Sequence, residues 1–155
     1  MLLKRILVPL SFAPSSKHAF EIAVEFARRF ESELFVLNVL YDPFAEHDAG
    51  AGLFTMPGDW QYQLEQAQKR LDRFVNNQIK RLRVELPITK LIAEGKPWRR
   101  ILEVAREREI NLIVLAHHEE GALDRLFWGR NIDQIVDRAH CDVLVTRVHL
   151  YQEGK

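Results

Sequence analysis

The sequence predicts an α/β protein, a parallel sheet with helices on both faces. Two observations carry this. Five short apolar runs alternate along the chain with four stretches of helical apolar spacing, the pattern of successive βαβ units. Most of the runs are apolar nearly throughout, as strands buried on both faces require.

The elements follow in order. Arg5–Leu10 (RILVPL) reads as the first strand, ended by a Ser- and Pro-containing turn. Pro14-Ser15-Ser16 opens a helix whose apolar residues are Ala19, Ile22, Ala23, Phe26, Ala27 and Phe30. Leu34–Leu40 (LFVLNVL) is the second strand. The segment YDPFAEHDAGAGLFTMPGD has no period, and its part 42–58 is either a moving loop or a lid. Trp60 to about Arg83 is a long helix buried through Leu64, Ala67, Leu71, Phe74, Val75 and Leu82, and broken by Pro87. Ile88–Ala93 is the third strand. Pro97 suits the first turn of a third helix, marked by Trp98, Ile101, Leu102 and Ala105. Leu112–Ala116 is the fourth strand. Ile132, Ile135, Val136 and Ala139 define a fourth helix, and Val143–Val148 the fifth strand. One domain over 1–150 is expected, with a frayed tail over 151–155.

Composition excludes several classes. Lys plus Arg number 22 and Asp plus Glu 22, so no overall basic field draws the chain to nucleic acid or an anionic membrane. No run approaches the roughly 20 apolar residues of a membrane span. Lys4 and Arg5 before an apolar run look like the start of a signal peptide, but Pro9 interrupts the run and no A-x-A site follows. A single cysteine, Cys141, allows no intramolecular disulfide and fits a reduced, cytoplasmic setting.

In such folds ligands sit beyond the carboxyl ends of the strands, where the strand order reverses. The loops placed there begin at Ser11, Tyr41 and His117. The third, HHEEGALDRLFWGRN, has the position of a phosphate loop, yet it carries Glu119 and Glu120 and has glycine only at Gly121 and Gly129.

Three blocks carry a family resemblance. RILVPLSFAPSSKHAFEIAVEFA is similar to ILVPvDgSepSxxAlexAxxlA, the opening of the universal stress protein (UspA-like) family. EGKPWRRILEVAREREINLIVLAHH resembles that family's GdPaeaIlevAeeegaDLIVmGtH. ALDRLFWGRNIDQIVDRAHCDVLVTRV resembles GLsrLLLGSVaexVlrhApcPVLVV. The blocks stand in the family's order and spacing across almost the whole chain. The resemblance implies an open five-stranded parallel sheet of order 3-2-1-4-5, the adenine nucleotide alpha hydrolase-like, Rossmann-like arrangement. It also implies a homodimer built through the last strand, Val143–Val148, and a stress-response role.

Many members of that family bind ATP or AMP through Gly, two residues, Gly, nine residues, Gly, then Ser or Thr. The matching positions here are Ala116, Glu119, Gly129 and Arg130, so one of four agrees. An Asp after the first strand, which contacts the nucleotide in ATP-binding members, is replaced by Ser11. The founding enterobacterial branch also lacks the motif, and His117-His118 followed by acids is similar to it. The positions that would meet AMP or ATP by this resemblance are Pro9, Ser11, Val39, Leu115, Ala116, Gly129, Arg130 and Asn131.

Physical chemistry pulls both ways at this site. A Glu119 carboxylate ~4 Å from a phosphate charge would cost roughly 4 kcal/mol at an effective dielectric of 20, about a thousandfold in affinity. Against that, Gly129-Arg130-Asn131 opens a helix, whose N-terminus attracts anions, and a guanidinium pairs well with phosphate. Ser11 supplies one hydroxyl. Two readings therefore stand. One is a non-enzymatic stress-response accessory or regulatory homodimer with a degenerate nucleotide site and a protein partner. The other is an AMP- or ATP-binding member with a rewired phosphate site built on Arg130, Asn131 and Ser11.

The remaining features read as structure. His117 and His118 with Glu119, Glu120 and His47 could gather a metal, but adjacent histidines in an extended segment point opposite ways, and no metal is expected. Phe127-Trp128 is either packing or a partner patch. Trp60 and Trp98 read as helix-start packing residues and Cys141 as a small buried hydrophobe. Lys69, Arg70, Arg73, Lys80, Arg81 and Arg83 are interleaved with Glu65, Asp72 and Glu85 and read as a solvated face. No catalytic residue is assigned. The first loop, SFAPSS, lacks the glycines of the S-G-G-x-D-S loop of adenylating relatives of the fold, and weak ATP hydrolysis is the open alternative.

Overall fold

The computed structural model describes residues 2–40, 59–117 and 130–148. The segment 42–58, residues His118, Glu119, Glu120, Phe127, Trp128 and Gly129, and the tail 151–155 lie outside the described residues, together with the expectations placed on them. The order is β1 (Arg5–Pro9), α1 (Pro14–Phe30), β2 (Glu33–Leu40), α2 (Asp59–Leu82), β3 (Ile88–Glu94), α3 (Pro97–Glu107), β4 (Leu112–Ala116), α4 (Arg130–Arg138) and β5 (Asp142–Thr146). Among the described residues the strands form one five-stranded sheet of order β3-β2-β1-β4-β5, with every pairing parallel.

The period of two along each strand sorts the core into two layers. Ile6 and Val8 of β1, Leu34 and Val36 of β2 and Val114 of β4 face α1 and α2, meeting Phe20, Ala23, Leu71 and Val75. Leu7, Phe35, Leu37, Ile113 and Leu115 point the other way, onto Ile101, Val104 and Ala105 of α3 and Ile135 of α4. Ile6, Leu7 and Val8 have no exposed surface, which is why this strand reads as a continuous apolar run.

Helix boundaries follow local chemistry. Pro14 starts α1 after an extended Ala13, and Pro97 starts α3 after an extended Lys96. α1 stops at Glu31, whose backbone is left-handed (φ 54°) and whose N–H returns to the Ala27 carbonyl. α2 ends at Leu82 with Arg83 also left-handed (φ 52°), so the helix is closed by its own C-terminal turn before Pro87 is reached.

Two further expectations need correcting. β5 ends at Thr146, because Thr146 pairs with Ala116, the last residue of β4; Arg147 and Val148 are exposed beyond it. Val136 has helical spacing but is exposed, because Ile132 and Ile135 are the residues of α4 that pack on the core.

β1 pairs with β2 along its whole length, but with β4 only at Ile6 and Leu7. Beyond Leu7 the β1–β4 ladder stops. This is the point where the strand order reverses.

Candidate functional site

A cleft of about 430 Å³ opens beyond the carboxyl ends of β1 and β2. Its floor is Pro9 and Leu10 with Leu37, Asn38, Val39 and Leu40. Ser11 and Phe12 of the β1–α1 loop form one wall. Gln63, Gln66, Ala67 and Arg70 of α2 form another, and Pro97 and Asn131, at the starts of α3 and α4, close the third side.

The floor is held by Asn38. This residue is buried, and its Nδ2 donates to the Leu10 carbonyl at 2.9 Å, tying the end of β2 to the start of the β1–α1 loop. Beside it the Gly95 N–H donates to the Leu40 carbonyl at 2.9 Å, with Gly95 at φ 126°. Only glycine takes that backbone without strain.

Ser11 turns toward α1. Its N–H donates to Ser16 Oγ at 3.1 Å, and the two hydroxyl oxygens lie 2.9 Å apart. Phe12 adopts φ 64°, an uncommon region for an aromatic residue. Its ring meets Phe74 edge-on at 6.0 Å, and Phe74 meets the buried Phe20 edge-on at 5.3 Å. The Arg70 guanidinium lies over the Phe12 ring at 4.2 Å.

Asn131 bridges two helices. Its Oδ1 accepts from the Trp98 N–H at 3.2 Å, satisfying a donor in the first turn of α3 from the first turn of α4. Trp98 in turn carries the guanidinium groups of Arg99 and Arg138, at 5.4 and 5.0 Å.

Among the described lining residues the electrostatics favour an anion. Among the described lining residues Arg70 is the charged side chain and no carboxylate is present. The first turns of α3 and α4 meet the cleft, and helix N-termini bias a site toward negative charge. The volume suits a nucleoside-sized molecule, and the backbone groups at the strand ends offer donors and acceptors. Among the described residues no group of three His, Cys, Asp or Glu side chains is placed to hold a metal ion.

The expected site residues divide. Pro9, Ser11, Val39 and Asn131 line the cleft. Leu115 and Ala116 close β4 and are buried in the sheet, outside the cleft lining. There the Leu115 carbonyl accepts from Thr146 Oγ at 3.1 Å, and the His117 N–H donates to the Thr146 carbonyl at 2.9 Å. Arg130 is the first residue of α4, with its side chain outside the described residues, as is Gly129.

Phe12, Asn38, Gln63, Gln66 and Arg70 were not anticipated. A signal for Phe12 was present, since the family opening has at that position a glycine, the residue that takes a left-handed backbone most easily. Gln63, Gln66 and Arg70 recur at i, i+3 and i+7 on α2, one helical face beside the buried Ala67 and Leu71. Arg70 was expected on a solvated face; it is exposed, but its guanidinium rests on Phe12 at the cleft.

Comparison with known proteins agrees with this architecture. A universal stress protein of Methanocaldococcus jannaschii is 26% identical over 149 residues, covering 94% of this chain and 83% of that one. The solved structure of UspA from Lactobacillus plantarum superposes with a TM-score of 0.75 at 26% identity, covering 95% of this chain and 99% of that one. A universal stress protein of Arabidopsis thaliana, solved with AMP bound, shares the fold at 17% identity, with a TM-score of 0.62 and 98% and 97% of the two chains covered. Among the described residues no helix is long and apolar enough to cross a membrane. The model of the universal stress protein family matches residues 3–147, and the chain belongs to that family.

Proposed function

We propose that the protein is a non-enzymatic stress-response regulator whose cleft holds an adenine nucleoside monophosphate. The observation that carries this is the cleft of about 430 Å³ at the ends of β1 and β2, with an arginine and no carboxylate among its described lining residues. The AMP bound by the Arabidopsis relative supports the ligand class. A monophosphate is favoured over ATP because the residues that would cradle further phosphates are replaced. Ala116 and Glu119 stand where the motif has glycines, and Arg130 where it has a hydroxyl. Bulk and negative charge at position 119 oppose a triphosphate most.

A second reading has its own support. Ser11, in place of the nucleotide-contacting Asp, is hydrogen-bonded to Ser16, and Phe12 and Arg70 cover the cleft wall between them. In this reading the protein works through protein contacts alone. Calorimetric titration with AMP, ATP and adenosine separates the two. Saturable AMP binding at one site per chain, with ATP weaker, is the expected result; no heat with any of the three would leave the protein-contact reading.

A homodimer belongs to both readings. Among the described residues β5 pairs only with β4 and is an edge of the sheet, with Val143, Leu144 and Val145 half-buried and Val136 and Val148 exposed. Light scattering at micromolar concentration should return twice the chain mass; a monomer mass would reject this part.

A further inference from the structure

We propose that Arg70, on α2, is the anion-binding group of the cleft, and that Phe12 is the shelf on which its guanidinium rests when no anion is bound. This inference rests on the nucleotide reading and names the side chain that would select the phosphate.

Among the described residues the charge of Arg70 is uncommitted. Asp72, two residues along the same helix, is paired with Lys90 of β3 at 2.7 Å. Arg81, three turns further along the same helix, is paired with Glu21 of α1. Among the described residues no carboxylate pairs with Arg70, although ion pairs occupy Arg5, Arg28, Arg29, Arg81 and Arg100. What Arg70 has instead is an aromatic face at 4.2 Å, with the ring itself lining the cleft. A cation over a half-buried ring is held more weakly than a guanidinium in charge-assisted hydrogen bonds to an oxyanion, so a phosphate arriving in the cleft can capture it.

Phe12 is kept in a costly backbone conformation to provide that face. At φ 64° glycine would sit without strain, as would the glycine of the family opening. The ring is fixed from behind by Phe74, itself backed by Phe20, so the shelf is rigid. Gln66 and Gln63 stand one and two turns before Arg70 on the same wall, where their amides can donate to a ligand without adding charge.

The test uses the full chain with three probes: AMP, adenosine and inorganic phosphate. Wild type should bind AMP at least about tenfold more tightly than adenosine, the scale of hydrogen bonds to a charged group, with inorganic phosphate weak. Arg70→Gln should abolish that ratio and leave adenosine affinity unchanged, a split that loss of fold would not produce. Arg70→Lys should recover part of it, since charge remains without the planar fork. The ratio should also shrink as salt rises. If Arg70→Gln keeps the AMP-to-adenosine ratio, the phosphate is held elsewhere and the Arg70 proposal falls while the nucleotide reading stands. Equal binding of AMP and adenosine by wild type overturns it in the same way. Binding of neither overturns both.

Discussion

Replacing Asn38 with alanine removes a side chain that sets the floor of the cleft. Asn38 is 7% exposed, and its Nδ2 donates to the carbonyl of Leu10, a residue 2% exposed. A hydrogen bond of this kind contributes about 1 kcal/mol net, and leaving the buried carbonyl without a donor costs about 1–3 kcal/mol. The expected loss is about 2–3 kcal/mol, or a Tm lower by roughly 5–10 °C for a chain of this size. Urea unfolding followed by circular dichroism should show a lower midpoint at unchanged slope. A loss below about 0.5 kcal/mol, the size of an ordinary surface change, would mean that this bond does not hold the floor.

Asn38→Asp separates the hydrogen bond from the packing, because the side chain keeps its shape. The ionised carboxylate has no proton for the Leu10 carbonyl, and burial opposes its charge. Folding therefore raises the pKa of the new carboxyl above its unfolded value. A group raised in this way contributes fully below its unfolded pKa, and the contribution is lost as pH rises through the folded pKa. The variant should approach wild-type stability near about pH 4, the ordinary range of an Asp, and fall below Asn38→Ala at neutral pH. A difference between the Asp and Ala variants that stays flat across this range would refute the assignment of the bond.

Four further outcomes are expected. Glu31→Gly should stabilise the protein by about 0.5–1 kcal/mol, since the residue is exposed at φ 54° and left-handed backbone costs more in Glu than the added freedom of Gly; a lower Tm would contradict this. The Lys90 ammonium beside Asp72 holds its carboxyl below the usual range, so their pair contributes above the unfolded Asp pKa and is lost as pH falls through the folded one. Because both side chains are partly exposed, Asp72→Asn should cost no more than about 1 kcal/mol at pH 7 and nothing measurable in strong acid, by thermal melts at the two conditions. Burial, with Asp142 adding, pushes the Cys141 thiol up, so a thiol reagent at mildly alkaline pH should react much more slowly with the folded than with the unfolded protein; equal rates would reject that. Finally, Ser11→Asp, Glu119→Gly and Arg130→Ser together should raise ATP affinity at least about tenfold by calorimetry, given the size of the charge term at position 119; no gain would reject the alignment of the motif.

The fold was legible because strands buried on both faces need apolar residues on both faces. β4, Leu112–Ala116, was readable to the residue. What escaped depended on partners. The end of β5 is set by where β4 stops, and the outward turn of Val136 by Ile132 and Ile135 having taken the core. The same division runs through the cleft. Pro9, Ser11, Val39 and Asn131 could be named through the family resemblance, and they line the cleft where strands end or a helix begins. Arg70 could not, because a basic residue among acids on a long helix looks solvated until Phe12, from a distant part of the chain, is placed beneath it.

That pairing bears on what the altered motif means. The chain departs from the nucleotide pattern at Ser11, Ala116, Glu119 and Arg130, and each departure taken alone reads as loss. Phe12 departs too, but replacing a glycine with a strained, well-braced aromatic is not what relaxation of a site produces. Relaxed sites lose strain, since strain has a cost and persists only where the surroundings enforce it. Here Phe74 and Phe20 brace the ring, and what the ring presents to the cleft is a guanidinium from the α2 wall. The loop after β4 and the wall of α2 are therefore separate questions. Losing glycines from the first removes one way of holding phosphate, while the proposed role of Arg70 on the second would provide another, suited to a single anionic group rather than a chain of three.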